Sequence, residues 1–323
     1  MTVTRITGIG AALVDVLIHE SDAFLEKLGK EKGGMTYVDD ETQQHIIATA
    51  GSEPVIVSGG AACNTIVGVG NLGGDARFIG RRGKDEFGAT FESKLSACGV
   101  EPHLSSSDTP TGKVISVVTP DAQRSMFTDL GASVEMDPTT VTPEMFSDTA
   151  IALIEGYLLF NTELMLASVK AAKTAGARIA LDLASFEVVN AAKDILPNLI
   201  KEYVDILIAN EDEAYAYTGH KDETKALNAL CENMTYAVLK LGERGSWISK
   251  NDEITRIQPV KGARAVDTTG AGDLWAAGFL YGIAHGFSIE KAGQLASTCG
   301  YEVCQVMGAH ISDAVWKKIR ATL

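Results

Sequence analysis

The segment best suited to chemistry lies near the carboxyl end of the chain, where residues 267–273 read DTTGAGD. Gly270 and Gly272 lack a Cβ atom, so the backbone amides around them can converge on an anion. The residues that follow are apolar at helical spacing, which places Asp273 in the first turn of a helix. A lone aspartate there would ordinarily be a helix cap. The two glycines favour another interpretation, in which the amides stabilise charge on a transferred phosphoryl group and Asp273 is the base.

This segment differs from the commoner phosphate-binding motifs. It lacks the Gly-Lys-Ser/Thr of a Walker A loop, and it is neither the glycine-rich loop of protein kinases nor the dinucleotide fingerprint. It resembles the C-terminal signature of the ribokinase-like (PfkB) carbohydrate kinase family. The resemblance implies that Asp273 is the catalytic base and that the amides of Gly270, Ala271 and Gly272 form the anion hole.

A second glycine-rich segment, residues 58–64 (SGGAACN), resembles the N-terminal G-G-x-x-x-N signature of the same family. The resemblance implies that Gly59 and Gly60 bring the backbone against the substrate. It also implies that the amide of Asn64 bonds to substrate hydroxyl groups. Taken alone, the segment would be better explained as an ordinary turn between a strand and a helix.

Two aspartates belong to further matches in the expected order along the chain. Asp15 interrupts an apolar strand, which costs stability unless the carboxylate has a partner. It matches the acid whose carboxylate accepts hydrogen bonds from sugar hydroxyls in the family, so we expect it to bind substrate. Residues 80–88 resemble the G-x-x-G-x-D-x-x-G element, in which Asp85 is expected to be the N-cap of a helix rather than a catalytic group.

The nucleotide side of the predicted site begins at residues 210–213 (NEDE), which resemble the N-x-x-E element of the family. By spacing, the resemblance assigns Asn210 to ATP and Glu213 to magnesium through water, although three consecutive acids are also typical of a solvated helix start. Asp267 and Thr269 match the monovalent-cation site, so activation by potassium is expected. The other residues that the resemblance assigns to ATP are Lys240, Gly242, Gly245, Thr268 and Gly308.

The acceptor depends on residues 112–132, which resemble the adenosine-kinase-like branch. There Arg124 would move onto the transferred phosphate when a lid closes; an exposed strand arginine is the alternative. Residues 10–15 (GAALVD) lack the Asn-Pro element that precedes the first aspartate of adenosine kinases. The resemblance therefore implies an ATP-dependent kinase that phosphorylates a primary hydroxyl of a nucleoside or a sugar. A ribokinase or fructokinase type of sugar kinase and a non-catalytic nucleotide- or sugar-binding sensor are the alternatives.

The elements that must position these residues follow a βαβ rhythm from residue 150 onward, as in AIALIEGYLLF, ELMLASVKAAKTAG and ARIALDLA. This rhythm predicts an α/β, ribokinase-like fold with a central, mostly parallel sheet and helices on both faces. Two insertions break the rhythm and are expected to form a small β-sheet lid. We predict one kinase domain in residues 1–323, with its body at about 1–14, 41–110 and 133–323 and its lid from about 15–40 and 111–132.

Composition excludes several classes of partner. The net charge of −14 lacks the positive field that nucleic acid or an anionic membrane requires, whereas a phosphorylated small molecule stays compatible with it. The five cysteines lack C-x-x-C spacing and are expected to be reduced, structural thiols. No basic leader or apolar run long enough to span a bilayer is present, so a cytoplasmic protein is expected. The sequence leaves a monomer and a homodimer both open.

Overall fold

The computed structural model describes residues 3–29, 32, 35–120, 124–232, 234–251 and 253–323, apart from the side chains of Met35, Ser58 and Arg124. Within these ranges the chain forms fourteen β-strands and twelve α-helices. The strands are β1 (Arg5–Ile9), β2 (Leu13–His19), β3 (Met35–Tyr37), β4 (Val55–Gly59), β5 (Ala76–Gly83), β6 (Val100–Ser107), β7 (Thr111–Val118), β8 (Arg124–Gly131), β9 (Thr149–Glu155), β10 (Arg178–Asp182), β11 (Ile206–Asn210), β12 (Tyr236–Lys240), β13 (Ser246–Lys250) and β14 (Glu253–Ile257). The helices are α1 (Asp22–Lys27), α2 (Asp40–Thr49), α3 (Ala61–Asn71), α4 (Glu86–Ala97), α5 (Thr162–Thr174), α6 (Phe186–Ala191), α7 (Leu196–Tyr203), α8 (Glu211–Thr218), α9 (Glu223–Leu230), α10 (Ala271–Ala284), α11 (Ile289–Val303) and α12 (Asp313–Arg320).

The larger sheet has, among the described strands, the order β14-β13-β12-β11-β10-β9-β1-β5-β6. All pairs from β6 to β12 are parallel, and β13 and β14 add an antiparallel edge. Alternate side chains of each central strand enter cores on opposite faces. Leu153 of β9 packs in one core with Phe279 of α10, and Ile154 packs in the other with Met165 of α5. Helices therefore cover both faces, and the predicted fold class is confirmed.

The smaller sheet has the order β3-β8-β7-β2-β4. The two insertions predicted from the sequence supply β2, β3, β7 and β8, and β7 pairs with β8 in antiparallel register as expected. Residues 121–122 of the predicted turn lie outside the described residues.

The expected membership of the smaller sheet was wrong for one strand. Residues 55–59 were expected in the body, yet they form β4, which pairs with β2 in antiparallel register. Val55 is 52% exposed, as befits an edge strand. A short apolar run has the same pattern in a body strand and in a lid strand, so periodicity could not identify its partner.

Several chain segments that carry predicted site residues meet at one edge of the larger sheet. The strands β9, β10, β11 and β12 run parallel, so their carboxyl ends share this edge. Ligands of open parallel sheets collect outside the carboxyl ends of the strands. None of the helices in the described part of the chain is both long and apolar enough to cross a membrane.

Candidate active site

Asp273 lies in the first turn of α10, behind a glycine turn. Gly270 is the N-cap residue and has a φ of 73°, a left-handed conformation that favours glycine. The side-chain amide of Asn64 donates a hydrogen bond from Nδ2 to Oδ2 of Asp273 at 2.9 Å. The hydroxyl of Thr65 donates to the backbone carbonyl oxygen of Asp273 at 3.1 Å. These bonds join the starts of α3 and α10, so the two glycine-rich segments of the sequence form one site.

The ionisation of Asp273 is set by its surroundings. Burial raises the pKa of its carboxyl group to about 7, against the hydrogen bond from Asn64, which lowers it. The negative charges of Asp182 and Asp15 raise the pKa further, and the positive charge of Lys240 lowers it. A carboxylate with a pKa near neutrality is matched to general-base catalysis at physiological pH.

The two glycines of the second segment make room for neighbouring groups. A Cβ atom on Gly59 would lie 2.5 Å from Cγ of Asp15, so only glycine leaves that carboxylate in place. Gly60 has a φ of 97°, and a Cβ atom there would lie 2.4 Å from the carbonyl oxygen of Ala11. The strand pairing of β2 with β4 thus brings Asp15 directly beside the diglycine turn. Glycine is required here by close approach and by backbone conformation.

A cavity of about 700 Å³ lies between the two sheets and contains several of the predicted residues. Its polar end includes Asp15, Gly60, Thr269, Asp273 and Gly308. The rest of its wall is mainly apolar and aromatic, and includes side chains from both sheets. Among these side chains are Leu13, Tyr37, Val114, Met126, Leu130, Val134, Tyr157 and Phe160.

Glu155 also lines this cavity, and sequence reasoning missed it. It ends β9, is 3% exposed, and accepts a hydrogen bond on Oε2 from the backbone amide of Ala62 at 3.2 Å. Burial raises the pKa of its carboxyl group to about 7. An acid at the end of an otherwise apolar strand was the available signal, because the same signal identified Asp15.

A second charged cluster lies at the ends of β10 and β12. Lys240 donates a hydrogen bond from Nζ to Oδ2 of Asp182 at 2.9 Å. Burial lowers the pKa of the Lys240 ammonium group, whereas the negative charges of Asp182 and Glu213 raise it. The net effect is a pKa above the ordinary value of a lysine. Lys240 was expected to bind ATP, whereas Asp182 was not predicted from the sequence.

The N-x-x-E element forms a capping box at the start of α8. Glu213 accepts hydrogen bonds from the backbone and side-chain amides of Asn210, each at 2.7 Å, and its own amide donates to Asn210. Its carboxylate is 2% exposed, and burial raises its pKa. The alternative of a solvated helix start therefore applies to Glu211 and Asp212 but not to Glu213.

Asp267 connects the catalytic turn to the turn after α11. Its Oδ1 accepts from the amide and hydroxyl of Thr269, at 3.0 and 2.8 Å, and its Oδ2 accepts from the amide of Gly308 at 2.8 Å. The carbonyl oxygen of Thr268 accepts from the amide of Ala271 at 3.2 Å. These contacts fix the turn that precedes α10, and potassium binding at Asp267 and Thr269 stays a prediction.

Gly242, Gly245 and Arg124 are the remaining residues that the sequence predicted for the site. Gly242 and Gly245 lie in the turn between β12 and β13, with φ angles of 54° and 90°. Arg124 begins β8, and its side chain lies outside the described residues, so its predicted contact with phosphate stays a prediction.

Asp85 is the N-cap of α4, as expected from the sequence. It accepts from the amide of Gly88 at 2.8 Å, and its second oxygen accepts from the amide of Thr111 at 2.7 Å. The same carboxylate thus caps a helix of the body and holds the first residue of β7. Its position at the base of the smaller sheet explains why an acid is needed there without a catalytic role.

Comparisons with known proteins show what this chain is similar to. A family model described as pfkB family carbohydrate kinase matches residues 25–316. The ribokinase of Arabidopsis thaliana is 28% identical over 318 residues, which cover 93% of this chain and 76% of that protein. A probable sugar kinase from Rhizobium etli CFN 42 has a TM-score of 0.89 and 31% identity, covering 100% of this chain and 99% of that chain. The adenosine kinase from Sinorhizobium meliloti has a TM-score of 0.88 and 31% identity, covering 99% of both chains.

Proposed function

We propose, because the chain belongs to the pfkB family of carbohydrate kinases, that it transfers the γ-phosphoryl group of ATP to a primary hydroxyl of an adenosine-like nucleoside. The family membership makes the chain a phosphotransferase that acts on a hydroxyl group. The observation that carries the proposal is the Asp273 carboxylate, which lies in the cavity at the start of α10 and is held by Asn64. A base in this position faces both an acceptor in the cavity and an anion at the glycine turn.

In this mechanism Asp273 takes the proton of the acceptor hydroxyl as its oxygen attacks the γ-phosphorus of ATP. The new oxygen–phosphorus bond forms while the bond from the γ-phosphorus to the bridging oxygen breaks, and ADP leaves with that electron pair. The amides of Gly270, Ala271 and Gly272 stabilise the charge on the transferred oxygens. Asp15, Gly59, Gly60 and Asn64 would orient the acceptor, and closure of the smaller sheet would exclude water.

Kinases of this family use ATP, generally with Mg²⁺. No cluster of three or more histidine, cysteine or acidic side chains able to bind a metal occurs in the described ranges. Proteins usually hold magnesium through one or two carboxylates, waters and substrate phosphates. Glu213 is 2% exposed and both of its oxygens accept bonds from Asn210, which supports a contact with the ion through water. When bound, magnesium would neutralise charge on the phosphates.

The cavity wall favours a nucleoside over a free sugar. A pentose is polar over its whole surface, whereas a nucleoside adds a planar, weakly polar base that gains from burial against aromatic rings. Phe160 is 61% exposed and Tyr37 is 59% exposed, although both line the cavity. Exposed aromatic side chains in a cleft are typical of a surface that a ligand covers. The adenosine kinase from Sinorhizobium meliloti supports the same choice.

A sugar kinase is the second candidate, and the acids at the polar end of the cavity favour it. Asp15 and Glu155 both line the cavity near the diglycine turn. Two carboxylates can accept bonds from several hydroxyl groups, which suits a sugar with more hydroxyls than a nucleoside has. The Arabidopsis ribokinase supports this candidate.

The deciding experiment measures ADP release with magnesium and ATP across a panel of nucleosides and sugars. We expect the highest kcat/KM with an adenosine-like nucleoside; a sugar as the best acceptor would establish the second candidate. Failure of every acceptor to stimulate ADP release would refute transfer and leave a non-catalytic sensor.

The role of Asp273 is tested by Asp273→Asn, which keeps the shape of the side chain and removes the base. We expect kcat to fall by about 10²–10⁴-fold with nearly unchanged affinity for ATP and acceptor. Asp222→Asn is the matched control, because Asp222 caps the distant helix α9 and an asparagine still accepts the bond from Lys225. Near-normal turnover of Asp273→Asn would remove Asp273 from the role of base.

A further inference from the structure

The ammonium group of Lys240 lies against the glycine turn of the catalytic segment. A Cβ atom built on Gly272 would lie 3.1 Å from Nζ of Lys240. Outside its own helix, no other described residue comes within 4 Å of that point. Lys240 ends β12, and Asp182 ends β10, two strands away in the larger sheet. The side chain of Lys240 therefore passes the end of β11 to reach Asp182. The lysine thus lies beside an amide that is proposed to hold the transferred phosphoryl group.

Only part of the hydrogen-bonding capacity of this ammonium group is used within the described residues. An ammonium group has three N–H donors, and the contact to Asp182 uses one of them. The side chains of Lys240 and Asp182 keep 14% and 19% exposure, so the pair faces the site and is not sealed in a core. The remaining donors can therefore reach a ligand at the glycine turn.

The negative charge of the site indicates what this lysine could do. Asp15, Glu155, Asp182, Glu213 and Asp273 are five carboxyl groups at or near the cavity. Together they would repel the triphosphate of ATP, whose transferred group carries charge on three equatorial oxygens in the transition state. A fixed cation beside the anion hole offsets that repulsion where the charge develops.

We propose that Lys240 contacts the transferred phosphoryl group next to the amides of Gly270, Ala271 and Gly272, and that Asp182 is a positioning residue that holds the ammonium group there. This inference rests on the proposed phosphoryl transfer and deepens it. The resemblance of the sequence to a kinase family assigned Lys240 to ATP without naming the group that it contacts, and it gave Asp182 no role.

The test compares Lys240→Met, Asp182→Asn and Lys240→Arg with the wild-type protein. Single-turnover rates at saturating ATP report transfer, and calorimetric titrations report the affinities for ATP and ADP. For Lys240→Met we expect a rate lower by about 10²–10³-fold, which is typical for loss of one donor to a developing anion. We expect the affinity for ATP to fall about tenfold and that for ADP to change less than about threefold, because ADP lacks the transferred group. Lys240→Arg should restore part of the rate, since it keeps the charge.

Removing one partner of a buried ion pair can unfold a protein, so the double variant Lys240→Met, Asp182→Asn is included. It leaves neither member of the pair charged and should fold. Because Asp182 is inferred to act through Lys240, the double variant should lose no more rate than Lys240→Met alone, and Asp182→Asn should lose rate only while Lys240 is present. Fully additive losses would show that Asp182 acts independently and would overturn its positioning role.

Two outcomes would overturn the role of Lys240. One is a double variant that transfers phosphate within about threefold of the wild-type rate. The other is a Lys240→Met variant in which ATP and ADP lose equal affinity, because that is the behaviour of a residue that binds the rest of the nucleotide. The affinity ratio needs no acceptor, so it tests Lys240 even if no acceptor is phosphorylated and the proposed function fails.

Discussion

The hydrogen bond from Asn64 to Asp273 should determine the pH at which the enzyme becomes active. Asn64→Leu keeps a side chain of similar size at a buried helix position and removes the donor to Oδ2 of Asp273. A hydrogen bond to a charged group contributes about 1.5–3 kcal/mol, which corresponds to about 1–2 pKa units of a carboxyl group. The pKa of Asp273, about 7 in the wild-type protein, should therefore rise to about 8–9.

This rise in the pKa of Asp273 should lower kcat/KM at neutral pH by an amount that can be calculated. The base must be deprotonated, so kcat/KM rises with pH through the pKa of Asp273 in the free enzyme. At pH 7 the deprotonated fraction should fall from about one half to about 1–10%, which lowers kcat/KM about 5–50-fold. The loss should shrink as the pH rises toward about 10. Direct contacts of Asn64 with the acceptor would lower the plateau equally at every pH.

The assay is a profile of kcat/KM for the acceptor from about pH 5.5 to about pH 10 at saturating magnesium and ATP. Thr65→Val is the matched control, because the hydroxyl of Thr65 bonds to the backbone carbonyl of Asp273 and not to its carboxylate. Its profile should keep the wild-type midpoint. If Asn64→Leu lowers the plateau but leaves the midpoint within about 0.3 units, the bond from Asn64 does not control the ionisation of Asp273.

Two further predictions concern the groups around this carboxylate. In Gly59→Ala the new Cβ atom would lie 2.5 Å from Cγ of Asp15, so the carboxylate must move; KM for the acceptor should rise at least about tenfold while the ATP affinity is kept. Steady-state kinetics with both substrates varied check this, and equal rises of both KM values would contradict it. Asp85→Ala removes the cap on Gly88 and the bond to the amide of Thr111, so the free energy of unfolding should fall by about 1–3 kcal/mol. Urea denaturation measures that loss, and a change below about 0.5 kcal/mol would show that the two bonds do not stabilise the fold.

The alternation of apolar runs with amphipathic stretches predicted the larger sheet correctly, because each crossover helix must bury one face of that sheet. The same reasoning failed for β4. Its residues pair with β2, and the choice of partner depends on where the chain leaves the larger sheet after β1. Local sequence contains the strand propensity but not the partner, so only the three-dimensional structure assigned Gly59 to the strand opposite Asp15.

The site shows the same division between local and long-range information. Gly270, Gly272 and Asp273 could be predicted as site residues because glycines beside an acid at a helix start form a local pattern. Asp182 and Glu155 each stand at the end of an apolar strand, and neither belongs to a segment with several glycines that would have marked it. Their importance comes from strand order, which brings Asp182 to Lys240 across 58 positions of sequence. Rules based on the spacing of residues within a short segment cannot detect such a contact.

Asp182 and Lys240 also show why the charge of the anion site cannot be changed without changing the base. Lys240 lowers the pKa of Asp273 and Asp182 raises it, while the same two side chains form the ion pair beside Gly272. Any change that moves the ammonium group toward the transferred phosphate therefore also changes the basicity of Asp273. The hydrogen bond from Asn64 is independent of that pair and acts on the carboxylate alone. A protein with this arrangement can set the strength of its base through α3 and the charge of its anion site through β10 and β12.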